Sequence, residues 1–154
     1  MRTVVIGVGN PVRADDAVGL HVARAVRARA GGTCDVEELW AGGLRLVEAM
    51  SGYDRAIVVD ALSGAGVAPG DLVRLPLDAL GPCRSVACAH DTSLPVGLAV
   101  WREAGAPVPA EVTVLGVGAE DLVTLTEALS PAVAAAVPRA VEAVLAELAR
   151  EVRP

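Results

Sequence analysis

The chain has 154 residues, 53% of them hydrophobic, which is enough for one compact domain with a sizeable core, and its formal charge of −6 is spread without a basic cluster, which excludes a nucleic-acid backbone as partner. Aromatic residues are confined to Trp40, Tyr53 and Trp101, too few to build stacking platforms for bases or sugars, so the core must come from Val, Leu, Ile and Ala. No apolar run of about 18 residues and no cationic leader is seen, so a cytoplasmic protein with no membrane partner is expected, and Cys34, Cys83 and Cys88, which lack CxxC spacing, are expected as buried thiols in a reducing compartment.

Apolar β-branched runs alternate with amphipathic stretches from end to end, which predicts a single α/β domain over residues 1–154: a three-layer sandwich with a mostly parallel twisted sheet covered by helices on both faces. Thr3 to Val8 reads as a buried first strand. A turn-rich segment through Asp15 leads to a helix from about Asp16 to Ala30, with Val18, Val22 and Val26 on one side and Gly31-Gly32 as its stop. Asp35 to Leu39 is a weaker strand, and a helix after Gly43 places Leu44, Val47 and Met50 on one side. Arg55 to Val59 is a second buried strand with Asp60 at its C-terminal end.

Pro69-Gly70 makes a turn before a strand from Asp71 to Leu75. From Asp91 to about Ala104 the spacing of Leu94, Leu98 and Trp101 is helical, with Pro95 tolerated in the first turn and His90 at the helix mouth. Glu111 to Leu115 is a further short strand. Ser130-Pro131 then reads as an N-cap followed by Pro at the first helical position, opening a long helix whose buried stripe is Val137, Val141, Val144, Leu148 and Val152. Pro138 should break that helix into a short and a longer piece.

The segment from Gly7 to Asp16 follows a strand and opens a helix, so a dinucleotide fingerprint has to be considered, and it fails. Val12 stands where the third glycine should allow close packing, and an acidic pair at a helix N-terminus repels a pyrophosphate. On its own, Asp15-Asp16 reads first as a helix cap that also complements the helix macrodipole. Asp60 changes that, because ligand sites in α/β sheets gather outside the C-terminal strand ends. His90 precedes a helix in a loop, whereas His21 lies within a helix and reads as structural. If the loops meet, Asp16, Asp60 and His90 supply two oxygens and an imidazole, a set suited to zinc or nickel with coordination positions left open. Asp16 and His90 are expected at exposed helix mouths.

Several segments in this order carry a family resemblance: Gly7-Val8-Gly9-Asn10 with Asp15-Asp16 and Gly19, then Val58-Val59-Asp60-Ala61, then His90-Asp91 with Leu94, then Leu115-Gly116-Val117 with Glu120. The tail Leu129-Ser130-Pro131-Ala132-Val133, running into Val137-Pro138 and Val141, completes it. Over nearly its whole length the chain resembles the hydrogenase maturation endopeptidases. The resemblance implies a hydrolase that removes a C-terminal peptide from a nickel-iron hydrogenase large-subunit precursor after nickel insertion. Asp16, Asp60 and His90 would be the metal-contacting and catalytic residues, with nickel supplied by the precursor and no tightly bound organic cofactor.

Two positions depart from the family pattern. Ala17 replaces a usual Gly, and Trp40-Ala41-Gly42-Gly43 replaces an Asp-Gly-Gly-Thr type segment tied to substrate recognition, so the particular hydrogenase is not implied. Peptidyl-tRNA hydrolase shares the opening Gly-x-Gly-Asn-Pro but needs a basic segment where this chain has Ala14-Asp15-Asp16. A noncatalytic nickel-site maturation chaperone is the remaining alternative.

Overall fold

The computed structural model describes residues 1–40, 42–64, 66–77 and 94–150. Five strands, β1 (Thr3–Val8), β2 (Asp35–Leu39), β3 (Arg55–Leu62), β4 (Leu72–Pro76) and β5 (Glu111–Gly118), form one sheet in the order β2-β1-β3-β5-β4. β1 pairs in parallel with β2 and β3, and β3 in parallel with β5, whereas the edge strand β4 runs antiparallel to β5. The helices are α1 (Val18–Arg29), α2 (Leu44–Met50), α3 (Leu94–Glu103) and α4 (Pro131–Ala149).

Strand alternation divides the core into two layers. Val5, Ile57, Val59, Ala61, Leu115 and Val117 pack with Val18, Val22 and Val26 of α1 and with Val133, Ala140, Val141 and Val144 of α4. On the other face Val4, Ile6, Val8, Ala56, Val58, Val112 and Val114 meet Leu46, Val47 and Met50 of α2 and Leu94 and Leu98 of α3. Both β1 and β3 are buried along their whole length, which is why they read as unbroken apolar runs without polar alternation. The three-layer α/β architecture is therefore the one the sequence predicts.

Several details differ from expectation. The first helix does not begin at Asp16: residues Ala14–Ala17 form a separate 3-10 turn and α1 starts at Val18. β3 continues to Leu62, because β5 runs on beside it to Gly118, so Asp60 lies inside the strand, opposite Gly116, and not at its end. In α2, Leu44 is exposed and Leu46 takes the buried place. Pro138 does not break α4, which is continuous through it. Its missing N–H would have bonded the Ala134 carbonyl; both residues are exposed, so water can serve that carbonyl while Val133, Ala136, Ala140 and Val141 hold the helix to the sheet on either side. Val152 of the expected stripe lies outside the described residues, as do Asp91 and the start of the expected 91–104 helix. Pro95 sits in the first turn of α3, where a proline is tolerated.

Candidate active site

The chemistry-bearing residues gather where the parallel strands end. Glycines set the spacing there. A Cβ on Gly7 would lie 2.2 Å from the Gly19 carbonyl oxygen, and one on Gly19 would lie 2.3 Å from that of Val59 and 2.5 Å from that of Val8. A Cβ on Gly9 would fall 1.9 Å from the Asp16 carbonyl oxygen. The Gly-x-Gly pattern and Gly19 thus let the 3-10 turn and the start of α1 close onto the ends of β1 and β3, with no phosphate needed to explain them. Backbone strain is visible at Ala14, whose φ of 45° is left-handed and costs a non-glycine residue about 1 kcal/mol or more.

The two neighbouring carboxylates of this turn have opposite surroundings. Asp15 is fully buried and accepts four hydrogen bonds: from the backbone N–H of Glu120 (3.0 Å), Asp121 (2.9 Å) and Ser130 (2.7 Å), and from the Ser130 hydroxyl (2.8 Å). Burial pushes its pKa up, but the bonds from Asp121, Ser130 and Glu120 outweigh that and hold it below the ordinary 3.8. Asp16 is 4% exposed, not at an exposed helix mouth as expected. Its Oδ2 accepts the Asn10 N–H at 3.0 Å, and its buried Oδ1 has no hydrogen-bond partner among the described residues. Burial raises its pKa above 3.8, opposed by the Asn10 bond and the charge of Arg13. Neither carboxylate caps a helix: Ser130 does stand at the N-cap position of α4, but its hydroxyl is turned to Asp15.

Asp60 is 1% exposed, and its Oδ1 accepts the N–H of Ala61 at 2.8 Å. By strand alternation it lies on the sheet face of Val58, the side covered by α2 and α3, and the 3-10 turn packs against its strand. Asp16, in the 3-10 turn that follows β1, and Asp60, toward the C-terminal end of the neighbouring β3, thus both lie toward the edge where the parallel strands end. His90, the third expected member, lies outside the described residues, as do Cys83 and Cys88. Among the described residues no three His, Cys, Asp or Glu side chains form a metal-binding group. Cys34 is half-buried and free, and His21 is half-buried on α1, its pKa lowered by burial and by Arg24, as suits a structural histidine. Five exposed large apolar side chains, Val12, Trp40, Leu44, Val123 and Leu125, lie in loops or helix starts that follow β1, β2 and β5 at this edge.

Sequence reasoning missed the part played by Asp15 and by the loop 119–130. Asp15 donates its own N–H to the Asp121 carbonyl, and Ala14 donates to that of Thr126, both at 2.9 Å. The available signal was the co-occurrence of Glu120-Asp121 and Ser130, which spacing alone does not connect to position 15. A charged cluster toward the opposite end of the sheet was also missed. Arg55, with a side chain 1% exposed, donates to Glu147 of α4 at 2.7 Å, and Glu147 also accepts from Arg74 and Arg150, each of them within 3.2 Å. Glu111 lies 3.7 Å from the Arg55 guanidinium and pairs with Arg150.

Comparison with known proteins places this edge in context. The family model described as hydrogenase maturation protease matches residues 4–147. The hydrogenase 2 maturation protease of Escherichia coli (strain K12) is 32% identical over 151 residues, spanning 96% of this chain and 91% of that protein. Among solved structures, the chain is similar to the hydrogenase maturating endopeptidase HybD from E. coli, with a TM-score of 0.80 and 27% identity over 97% of this chain and 93% of that one. It is also similar to the hydrogenase 2 maturation peptidase from Thaumarchaeota archaeon SCGC_AB-539-E09, with a TM-score of 0.70 and 26% identity over 98% of this chain and 100% of the other.

Proposed function

The chain belongs to the hydrogenase maturation protease family, and from that premise we propose that it removes the C-terminal peptide of a nickel-loaded hydrogenase large-subunit precursor in the cytoplasm, with Asp16, Asp60 and His90 reading the nickel that the precursor carries. The observation that supports this most is the Asp16 carboxylate. One oxygen is held by Asn10 while the other is buried without a partner among the described residues, a costly arrangement for a side chain that serves the fold alone. A cation delivered on the substrate would supply the missing partner. Asp60, on the neighbouring strand at the same edge, adds a second anionic oxygen, and His90 is assigned the imidazole.

Nickel is here part of the substrate. Two carboxylates and an imidazole, without a thiolate, hold free nickel loosely, so a nickel-free precursor gives the site little to grip, whereas nickel already held by precursor thiolates completes its coordination on docking. Water then adds to the scissile carbonyl carbon and gives a proton to a site carboxylate, Asp16 or Asp60, and the proton passes to the departing amine as the C–N bond breaks. The precursor's nickel, alongside, can polarise the carbonyl or the water.

The test uses purified chain with nickel-loaded and nickel-free precursor, followed by mass measurement of the products. The C-terminal peptide should be released from the loaded form only. Binding without cutting would leave a maturation chaperone, and equal cleavage of both forms would remove nickel as the recognition element. Titration of the isolated chain with free nickel should show weak binding; nanomolar affinity would point instead to a resident metal.

A further inference from the structure

The turn that carries Asp16 is four residues long, contains a left-handed alanine at Ala14, and has no side-chain cap at either end. Such a backbone persists only where its surroundings over-determine it. Those surroundings are the loop 119–130. Backbone bonds run from the turn to the loop, Ala14 N–H to Thr126 and Asp15 N–H to Asp121, while the loop returns four donors to the Asp15 carboxylate, from Glu120, Asp121 and twice from Ser130. We infer that Asp15 is the positioning residue of the site: its carboxylate locks the loop 119–130 to the 3-10 turn and thereby fixes the direction in which the Asp16 carboxylate meets the substrate. This rests on the reading that Asp16 takes part in cleavage.

The chemistry of the pocket specifies a carboxylate and no other side chain. Every partner of Asp15 is a donor, so both of its oxygens must accept. An asparagine would turn its NH2 group toward N–H or O–H donors, losing acceptance at one of the two atoms and pushing the loop away. A glutamate would add a methylene where Asp15 has no exposed surface to move into. Because residues 15 and 16 share a peptide bond, a displacement of the turn is passed directly to Asp16, and displacement of a catalytic group by about 1 Å can cost roughly 10²-fold in rate. Ser130 belongs to the same lock through its hydroxyl.

The experiment measures kcat and KM on nickel-loaded precursor for Asp15→Asn, Ser130→Ala and Asp16→Asn, at a temperature where unfolding curves show each variant folded. For Asp15→Asn, kcat should fall about 10²-fold with KM unchanged within about twofold. Ser130→Ala, which removes one donor of the four, should lose about three- to tenfold in kcat and keep its KM. If Asp15→Asn does not fold, Ser130→Ala decides the question. A lowered unfolding temperature with wild-type kcat per folded molecule would make the lock purely structural and overturn the inference. Wild-type turnover by Asp16→Asn would instead sink the functional reading beneath it, whereas an inactive Asp16→Asn beside fully active Asp15→Asn and Ser130→Ala would overturn the positioning role alone.

Discussion

The two ends of the sheet bury charge in different ways. Around Arg55 and Glu147 the charges are answered by opposite charges within the chain: three arginines converge on one glutamate, and Glu111 stands beside two of them, although the buried Arg55 Nε makes no hydrogen bond among the described residues. At the edge where the parallel strands end, Asp15 is answered just as fully, by hydrogen-bond donors in place of cations, yet the next residue keeps a buried oxygen with no partner among the described residues. The fold is thus capable of satisfying buried carboxylates in two different ways. What sets Asp16 apart from Asp15 is that only one of its oxygens is answered, by the Asn10 N–H, and an acceptor left over in this way is where the protein can engage something it does not itself contain.

This contrast is sharpest in substitution. Asp16→Asn and Asp60→Asn should each lower precursor cleavage by about 10² to 10⁴-fold, the usual cost of losing a positioned acid-base group, and both should stay folded. For Asp16→Asn the unfolding temperature at neutral pH should also rise, because the variant no longer buries a half-satisfied charge, a gain of about 1 kcal/mol. Since the folded-state pKa of Asp16 lies above 3.8, its contribution to stability is present at lower pH and is lost as pH rises through that folded value. The advantage of Asp16→Asn should therefore shrink on acidification and vanish below about pH 3.8, where the wild-type side chain is protonated too. A loss of stability at neutral pH would show that Asp16 serves the fold after all.

At the other end the effects should invert. Glu147→Gln leaves Arg55 buried with a weaker counter-charge and should cost about 3 kcal/mol in chemical unfolding, while cleavage per folded molecule is unchanged. A smaller effect follows from pH. Glu147 and Asp15 both have folded-state pKa values below their ordinary 4.5 and 3.8, so their stabilisation is present above those values and is lost as pH falls through the folded ones. Wild-type stability should fall off at acid pH, and Glu147→Gln should show a shallower fall over the same range. Identical slopes would mean that the arginines do not stabilise the ionised glutamate.

Much of the fold was legible because it depends on period and burial. The apolar runs at residues 3–8 and 55–59 and the spacing of Val18, Val22 and Val26 were enough to predict the layers, the strands and α1. The errors arose where tertiary pairing extends or interrupts a local preference. β3 runs past Asp60 because β5 has glycines at 116 and 118 that allow Leu62 and Ala68 to approach closely, and Pro138 survives in α4 because its solvent-facing side tolerates a missing bond. At the site, the apolar runs before Asp16 and Asp60 pointed to the edge where the parallel strands end, although Asp60 proved to lie within β3. The distinction between Asp15 and Asp16 could not, since it depends on donors more than a hundred residues away, at Glu120, Asp121 and Ser130.

Among the described residues β2 and β4 form the open edges of the sheet, and neither offers an easy template for a further strand. β2 carries Asp35, Glu37 and Glu38 in five residues, the last of them paired to Arg24 and Arg27, so an approaching strand meets a row of carboxylates. β4 carries Arg74 and ends on Pro76, which has no N–H to give. Self-association by edge pairing, the usual route by which exposed strands aggregate, is opposed on both sides. An extended polypeptide would meet carboxylates along β2 and a proline at the end of β4, which favours recognition by side chains and loops at the strand ends.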